Sequence, residues 1–369
     1  MKKIKLIFLL VVLNFADCGF AQPWLNPLLI ATSTDGTNFS TPQIFQDSSG
    51  VPSVIQLNNG NLICAFQWFP APINSQGWDS IAVKMSTDNG VSWTAPTSVN
   101  VAGIPGGFQR PFDPTLVETD AGQIRMFFSC GPMGMGLDSN INTYSAISSD
   151  GVNYVFEGGI RFDDLNNPVI DPACTKWNGT WHYTAPVGAP QDGAHHATST
   201  DGINFTEQAD IPSDFSHNWT GNLMIDSTQM KFYGSGASIW WNATSDGLVW
   251  SGYTNTNIPA GGDPSVVKLP DGTYLMIYVG PPGFTSIEEE EKWEIKVYPN
   301  PVNDELLFSV SSPHLHILTL YNLQGKLLLS KKVLMSATVD VSTFANGVYI
   351  VEVISEETGR RFIKKIVKE

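Results

Sequence analysis

The sequence predicts an all-β chain: a five-bladed β-propeller closed by its N-terminal strands, followed by a small C-terminal β-sandwich. Three observations lead there. Two short patterns interleave along residues 22–285, the first copy of one pattern stands before any copy of its partner, and the composition changes after Pro282. Of 369 residues, 33 are Gly and 24 Pro, too many breakers for a helical bundle, and 42% are hydrophobic, too apolar for a disordered chain. The formal charge of −15 argues against nucleic acid or an anionic membrane as the main partner.

The chain opens MKKIKLIFLLVVLNFADCGFAQPW. Basic Lys2, Lys3 and Lys5, an apolar run from Ile7 to Leu13 and the small residues Gly19 and Ala21 read as a secretory signal peptide over residues 1–21. The run is too short to span a membrane, so no span is expected in the mature protein. Asp17 directly before Cys18 fits a lipidation site poorly. The mature chain, from Gln22, is expected to pass the periplasm and be secreted or held at the cell surface. Its three cysteines, Cys64, Cys130 and Cys174, form no disulfide framework and no metal spacing, and each is expected to be a small buried hydrophobe.

The first pattern is STDGTNFS from Ser33, STDNGVSWT from Ser86, SSDGVNYV from Ser148, STDGINFT from Ser199 and TSDGLVWS from Thr244. A hydroxyl residue, an Asp and a nearby Gly describe a tight turn: the Asp caps backbone N–H groups and the Gly takes a positive φ. The following aromatic is expected to pack inward. These segments resemble Asp boxes, the repeats of sialidase-type β-propellers. Ser86–Trp93 matches that pattern fully, and the other four are one residue shorter between Asp and aromatic.

The second pattern is an apolar hairpin: GVPSVIQLNNGNLICAF from Gly50, FDPTLVETDAGQIRMFF from Phe112, IDPACTKWNGTWHYTA from Ile170 and GGDPSVVKLPDGTYLMIY from Gly261. A fifth copy, NWTGNLMIDSTQMKFYG from Asn218, lacks the Asp-Pro opening. The hairpin at Asp263 has no box after it and the box at Ser33 has no hairpin before it. The strands around Leu28 to Ile44 are therefore expected to complete the last blade, which protects the sheet edges. A six-bladed ring or an open stack is the competing arrangement.

An acidic linker, residues 286–294, leads to a domain of different texture over residues 295–369. Ten Lys or Arg lie from Lys292 onward, against seven in residues 22–285. YPNP, LYNLQGKLL, NGVYIVEV and a basic last strand resemble the C-terminal sorting domain of type IX secretion cargo. The resemblance implies the type IX secretion machinery as partner and an export address that is usually removed. A carbohydrate-binding sandwich is the other reading of this tail.

In blades of this order the Asp-box turns lie on one face and the starts of the innermost strands on the other. That gathers Val51, Asp113, Asp171, a residue near Trp219, and Asp263 at one mouth. Paired carboxylates there suit glycosidic bond cleavage, in which one protonates the departing oxygen and another acts as base or nucleophile. The Asp-Pro openings resemble five-bladed arabinanases, xylosidases and related glycosidases. That resemblance implies catalytic Asp113, Asp171 and Asp263, although Val51 replaces the usual first-blade Asp and no Glu opens an inner strand. A histidine acid could come from His195, His196 or His217. Turn capping is the alternative role for each Asp-Pro.

Loops on the same face supply the candidate substrate-binding residues Trp68, Trp78, Asp79, Asp192 and His195, joined by Arg110 just before Asp113 and by His217 and Trp219 near the fifth inner-strand start. Trp68 and Trp78 could stack on sugar rings or serve blade packing. Arg110 could bind a substrate carboxylate or neutralise the acidic mouth. Sialidase activity is disfavoured, because only Arg110, Arg125 and Arg161 exist in the propeller and their positions do not suggest a converging triad. The expected function is a secreted glycosidase acting on extracellular poly- or oligosaccharide. The alternatives are a non-catalytic glycan-binding or adhesion propeller, and a scaffold whose 22 acidic residues hold structural Ca²⁺. No other cofactor is expected.

Overall fold

The computed structural model describes residues 25–75, 77–133, 141–250, 252–284, 295–311, 315–356 and 361–369. The expected signal peptide and acidic linker lie outside these residues. The chain is all-β and divides into two compact units, Met1–Ser286 and Ile287–Glu369. No helix among the described residues is long and apolar enough to cross a membrane.

Among the described residues, the first unit holds five small sheets. Leu28–Ser33 (β1) and Gln43–Gln46 (β2) belong to a sheet completed near the end of the unit. Ser49–Gln56 (β3), Leu62–Trp68 (β4), Ser80–Ser86 (β5) and Thr97–Ser98 (β6) form the second sheet in chain order. Asn100–Ala102 (β7), Phe112–Glu118 (β8), Ile124–Cys130 (β9), Asn142–Ser148 (β10) and Asn153–Phe156 (β11) form the third, in the order β7-β11-β10-β9-β8. Ala173–Trp177 (β12), Thr180–Pro186 (β13), Gly193–Ser199 (β14), Thr206–Glu207 (β15) and Ile211–Pro212 (β16) make the fourth, with β15 and β16 both on β14. His217–Asp226 (β17), Gln229–Gly236 (β18), Ser238–Thr244 (β19) and Thr254–Pro259 (β20) make the fifth. Gly262–Lys268 (β21) and Tyr274–Val279 (β22) then return to the first sheet, where β1 runs antiparallel along β22 from Leu28↔Val279 to Ser33↔Tyr274.

The middle strands read as continuous apolar runs because sheets cover both of their faces. In β4, Leu62 to Phe66 are all buried. Ile63 and Val83 pack on Met126 and Phe128 of the third sheet, and Phe127 packs on Trp181 of the fourth. Ala173 packs with Trp219 and Trp240 of the fifth sheet, whose Tyr233 and Ile239 meet Leu29 and Met276 of the first. Leu28 and Ile277 meet Cys64 and Phe66 of the second. Cys64, Cys130 and Cys174 are free and buried, as expected.

The five box segments join β1 to β2, β5 to β6, β10 to β11, β14 to β15 and β19 to β20. In the fourth sheet Ser199 Oγ accepts the Asp201 and Gly202 N–H groups at 3.2 and 2.9 Å, and Asp201 Oδ1 accepts those of Ile203 and Asn204. Gly202 has φ +72, and a Cβ there would lie 2.7 Å from the Trp181 ring, so the turn needs glycine twice over. Ser199→Ala leaves the buried Gly202 N–H without its acceptor. The expected cost is about 1–2 kcal/mol in urea unfolding, and an unchanged midpoint would refute this account of the turn.

Polar side chains tie the inner strands together. Ser265 Oγ accepts Val54 N–H and Ser53 Oγ accepts Leu116 N–H, both at 2.9 Å. Thr115 donates its hydroxyl to Asn222 Oδ1 at 2.8 Å, and the Asn222 amide donates to the Pro52 carbonyl at 3.2 Å. Strands of four sheets are thus joined just beneath the Asp-Pro openings.

The second unit has two sheets on one core. Ile295–Tyr298 (β23) and Glu305–Val310 (β24) are followed by His316–Asn322 (β25), Leu327–Val333 (β26), Ser336–Asp340 (β27), Gly347–Ser355 (β28) and Arg361–Lys368 (β29). The sheet orders are β23-β24-β27 and β26-β25-β28-β29. Val297, Leu306 and Phe308 of the first face Leu318, Val351 and Val353 of the second within one buried cluster.

Candidate functional site

Four inner strands open with the same local geometry. Val51, Asp113, Asp171 and Asp263 each precede a proline, and each has positive φ, at 43, 50, 52 and 43°. In β3, β8 and β21 the pairing register slips there, between Gly50/Ser53, Phe112/Thr115 and Gly262/Ser265. Such bulges re-aim a side chain out of the ladder. Asp tolerates the left-handed region, whereas β-branched Val51 is an outlier in it. The fifth inner strand slips between Asn218 and Gly221 without the Asp-Pro pair.

The three aspartates come from three sheets, and the charge of Asp263 reaches the other two. The Asp171 N–H donates to Asp113 Oδ2 at 3.3 Å. Burial raises the Asp113 carboxyl to about 7; the Asp171 N–H pulls the other way, and the charges of Asp263 and Asp79 add to the rise. Burial also holds Asp171 well above the usual carboxylate range, with Asp113 and Asp263 reinforcing it. Asp263 is raised by burial against a hydrogen bond from Thr220. Its N–H donates to Ser235 Oγ at 3.1 Å, and Ser235 in turn meets the Thr220 hydroxyl at 2.6 Å. Asp113 is 8% exposed and the other two are partly exposed. Carboxyls raised this way can hold a proton near neutrality, which a general acid requires.

Sequence reasoning missed Gln67. It pairs with Gly50 across β3 and β4, accepts the Asp113 N–H at 3.4 Å and donates its amide to Asp79 Oδ1. It thereby connects the second sheet to the third at the site. Asp79 stands just before β5 at φ 54°, and its charge reaches Asp113 although Val51, on its own sheet, has no carboxylate to offer. The one local signal was a polar residue inside the apolar run LICAFQW.

The remaining candidates divide. Trp78 sits edge-on to Phe69 at 5.5 Å, and its carbonyl accepts from Arg110 Nη1. Trp68, at the end of β4, packs partly against the cluster of Leu28, Phe45 and Phe66. Asp192 is exposed in the turn Pro190–Asp192. His195 faces Asp210 through Nδ1 at 3.2 Å and Asp164 through Nε2 at 3.4 Å, so both ring nitrogens are engaged. His217 meets Asp214 Oδ1 at 2.7 Å and stacks on Tyr253 at 4.0 Å.

Two expectations are corrected. Trp219 is not at the mouth: it is 1% exposed and packs on Phe232, Trp240 and Trp250, because the β17 bulge turns it into the core and leaves Thr220 beside Asp263. His196 is no acid for the mouth, since it is buried 3.5 Å from His182, and burial lowers it to about 4. No group of three or more His, Cys, Asp or Glu among the described residues could hold a metal ion.

The second unit settles part of the chain's business. Residues 296–369 match the secretion system C-terminal sorting domain. That match indicates export by type IX secretion to the cell surface or extracellular space. No curated protein matches the chain. Among solved structures it is similar to an exo-β-1,3-galactanase from Phanerochaete chrysosporium bound to β-1,3-galactotriose, with 9% identity, a TM-score of 0.47, and coverage of 87% of this chain and 96% of that one. It is also similar to a thermostable family-43 glycoside hydrolase, at 12% identity and TM-score 0.47 over 79% and 95% of the two chains. A glycosyl hydrolase from Bacteroides ovatus is 14% identical, with TM-score 0.45 over 64% and 84%.

Proposed function

We propose that the first unit is a five-bladed β-propeller, closed where β1 pairs with β22, and that it acts as a secreted glycoside hydrolase on extracellular poly- or oligosaccharide. The observation that carries this is the coupling of Asp113, Asp171 and Asp263. Three carboxyls from three sheets, each at a left-handed opening, are raised by burial, with the charge of Asp263 adding to the rise of both Asp113 and Asp171, and one is held near 7. An acid that keeps its proton and a neighbouring carboxylate that accepts one are what glycosidic cleavage uses. The Asp-box reading of the five turns fits the same architecture. Sialic acid remains a poor substrate candidate, since Arg125 is tied to Glu157 and Arg161 to Ser145.

Val51 favours a second reading, a non-catalytic glycan-binding propeller, because one of the four equivalent openings carries no acid. Turnover of a glycan library by the full chain separates the two. Hydrolysis abolished by Asp113→Asn or Asp171→Asn supports the enzyme. Binding without hydrolysis by the unaltered protein supports the lectin-like role.

A further inference from the structure

We propose that Arg110, three positions before Asp113 in the chain, selects an anionic sugar unit, a uronate carboxylate or a sulfate ester; this rests on the glycan reading above. The first unit has seven Lys or Arg against 22 acids in residues 22–285, and six of the seven are committed elsewhere. Lys231 and Lys268 both bind Asp226 at 2.7 Å, Arg125 binds Glu157 at 2.9 Å, and Lys176 binds Asp120. Arg161 donates to Ser145 Oγ and the Gly158 carbonyl, and Lys84 to the Phe45 carbonyl.

Arg110 differs from all of them. It is exposed, whereas the other six are half-buried or buried; like Lys84 and Arg161, it has no acidic partner among the described residues. Its Nη1 donates to the Trp78 carbonyl, which fixes the fork and leaves most of its five N–H donors unused. Only Pro111 and Phe112 separate it from Asp113, so the two Cα atoms lie at most about 10 Å apart.

Beside the guanidinium lies a 180 Å³ cavity walled by Ile81, Val99, Val101, Ile104 and Pro111, with Ser80 as its one other polar lining residue. An aliphatic wall with one cation at its rim suits a small unit with an apolar face and one negative group. A planar fork matches carboxylate and sulfate oxygens alike. In a chain of net charge −15, this is a local attraction for an anion that the surroundings would otherwise repel.

The test measures binding of the full chain to matched glycan pairs by calorimetry: an oligouronate with its carboxyl-reduced twin, and a sulfated oligosaccharide with its desulfated twin. The protein is expected to bind the charged member of one pair at least tenfold more tightly, and that pair identifies the anion. Arg110→Gln should shrink the preference below threefold, while Arg110→Lys, which keeps the charge without the fork, should retain part of it. Equal binding of both twins in both pairs, or a preference that survives Arg110→Gln, overturns the assignment alone. Failure to bind or hydrolyse any glycan overturns the glycan reading and this inference with it.

Discussion

Asp113→Asn is expected to abolish most glycan turnover and, at the same time, to make the protein more stable at alkaline pH. A general acid contributes about 10²–10⁴-fold to rate, so kcat should fall by that order. The stability change follows from the carboxyl's position, 8% exposed and raised to about 7. For a group whose folded value lies above its unfolded one, the native state binds the extra proton between the two. Stability from that proton is full below about pH 4 and disappears as pH rises through about 7. Asn carries no charge to be desolvated, so the variant gains on the unaltered protein across that window. The ceiling is about 4 kcal/mol at pH 8, from roughly three pH units at 1.36 kcal/mol each. Melting temperatures from pH 4 to pH 8 measure it, and their difference isolates Asp113 from Asp171 and Asp263. Equal melting at both ends, or undiminished turnover, would sink the role given to this residue.

Gly221→Ala should be among the most damaging single changes in the first unit. At φ +146° in the β17 bulge, a Cβ would sit 2.0 Å from the Tyr233 carbonyl oxygen, a backbone atom that cannot move aside cheaply. A cost of at least about 3 kcal/mol is expected in denaturant unfolding. Gly50→Ala is the comparison, since a Cβ there meets nothing within 4 Å and should cost under about 1 kcal/mol. The effect reaches the site because Gly221 follows Thr220, whose hydroxyl contacts Ser235 and Asp263. Glycan affinity should therefore weaken in any Gly221→Ala protein that remains folded. A midpoint matching that of Gly50→Ala would show that the bulge relaxes more readily than its geometry suggests.

The repeats were legible because their turns are built from local chemistry. A hydroxyl, an Asp and a Gly within four residues specify their own hydrogen bonds, as at Ser199 to Gly202. The Asp-Pro openings were legible for a related reason: Asp accepts a left-handed backbone, and Pro cannot continue the ladder. Val51 was placed at the mouth by the repeat alone, because a β-branched side chain is the last residue that local preference would put at φ 43°. It is held there by the strands around it.

What the sequence hid depends on register and on bulges. Gln67 matters through its pairing with Gly50 and its reach to Asp113, 46 positions away. Trp219 read as a rim residue from its place at the start of the fifth inner hairpin, and the register slip between Asn218 and Gly221, which the sequence does not announce, turns it into the core instead. His195 and His196 illustrate the same point without a bulge, since neighbours on β14 point to opposite faces, one toward Asp164 and Asp210 and the other into the core beside His182.

Carbon-13 NMR titration of the aspartate side chains in the full chain tests the central claim most directly. One carboxyl, assigned to Asp113 by its loss in Asp113→Asn, should titrate near pH 7, and its midpoint should move toward acid in Asp263→Asn. A midpoint near 4 that ignores Asp263 would mean that the three carboxyls do not share a site.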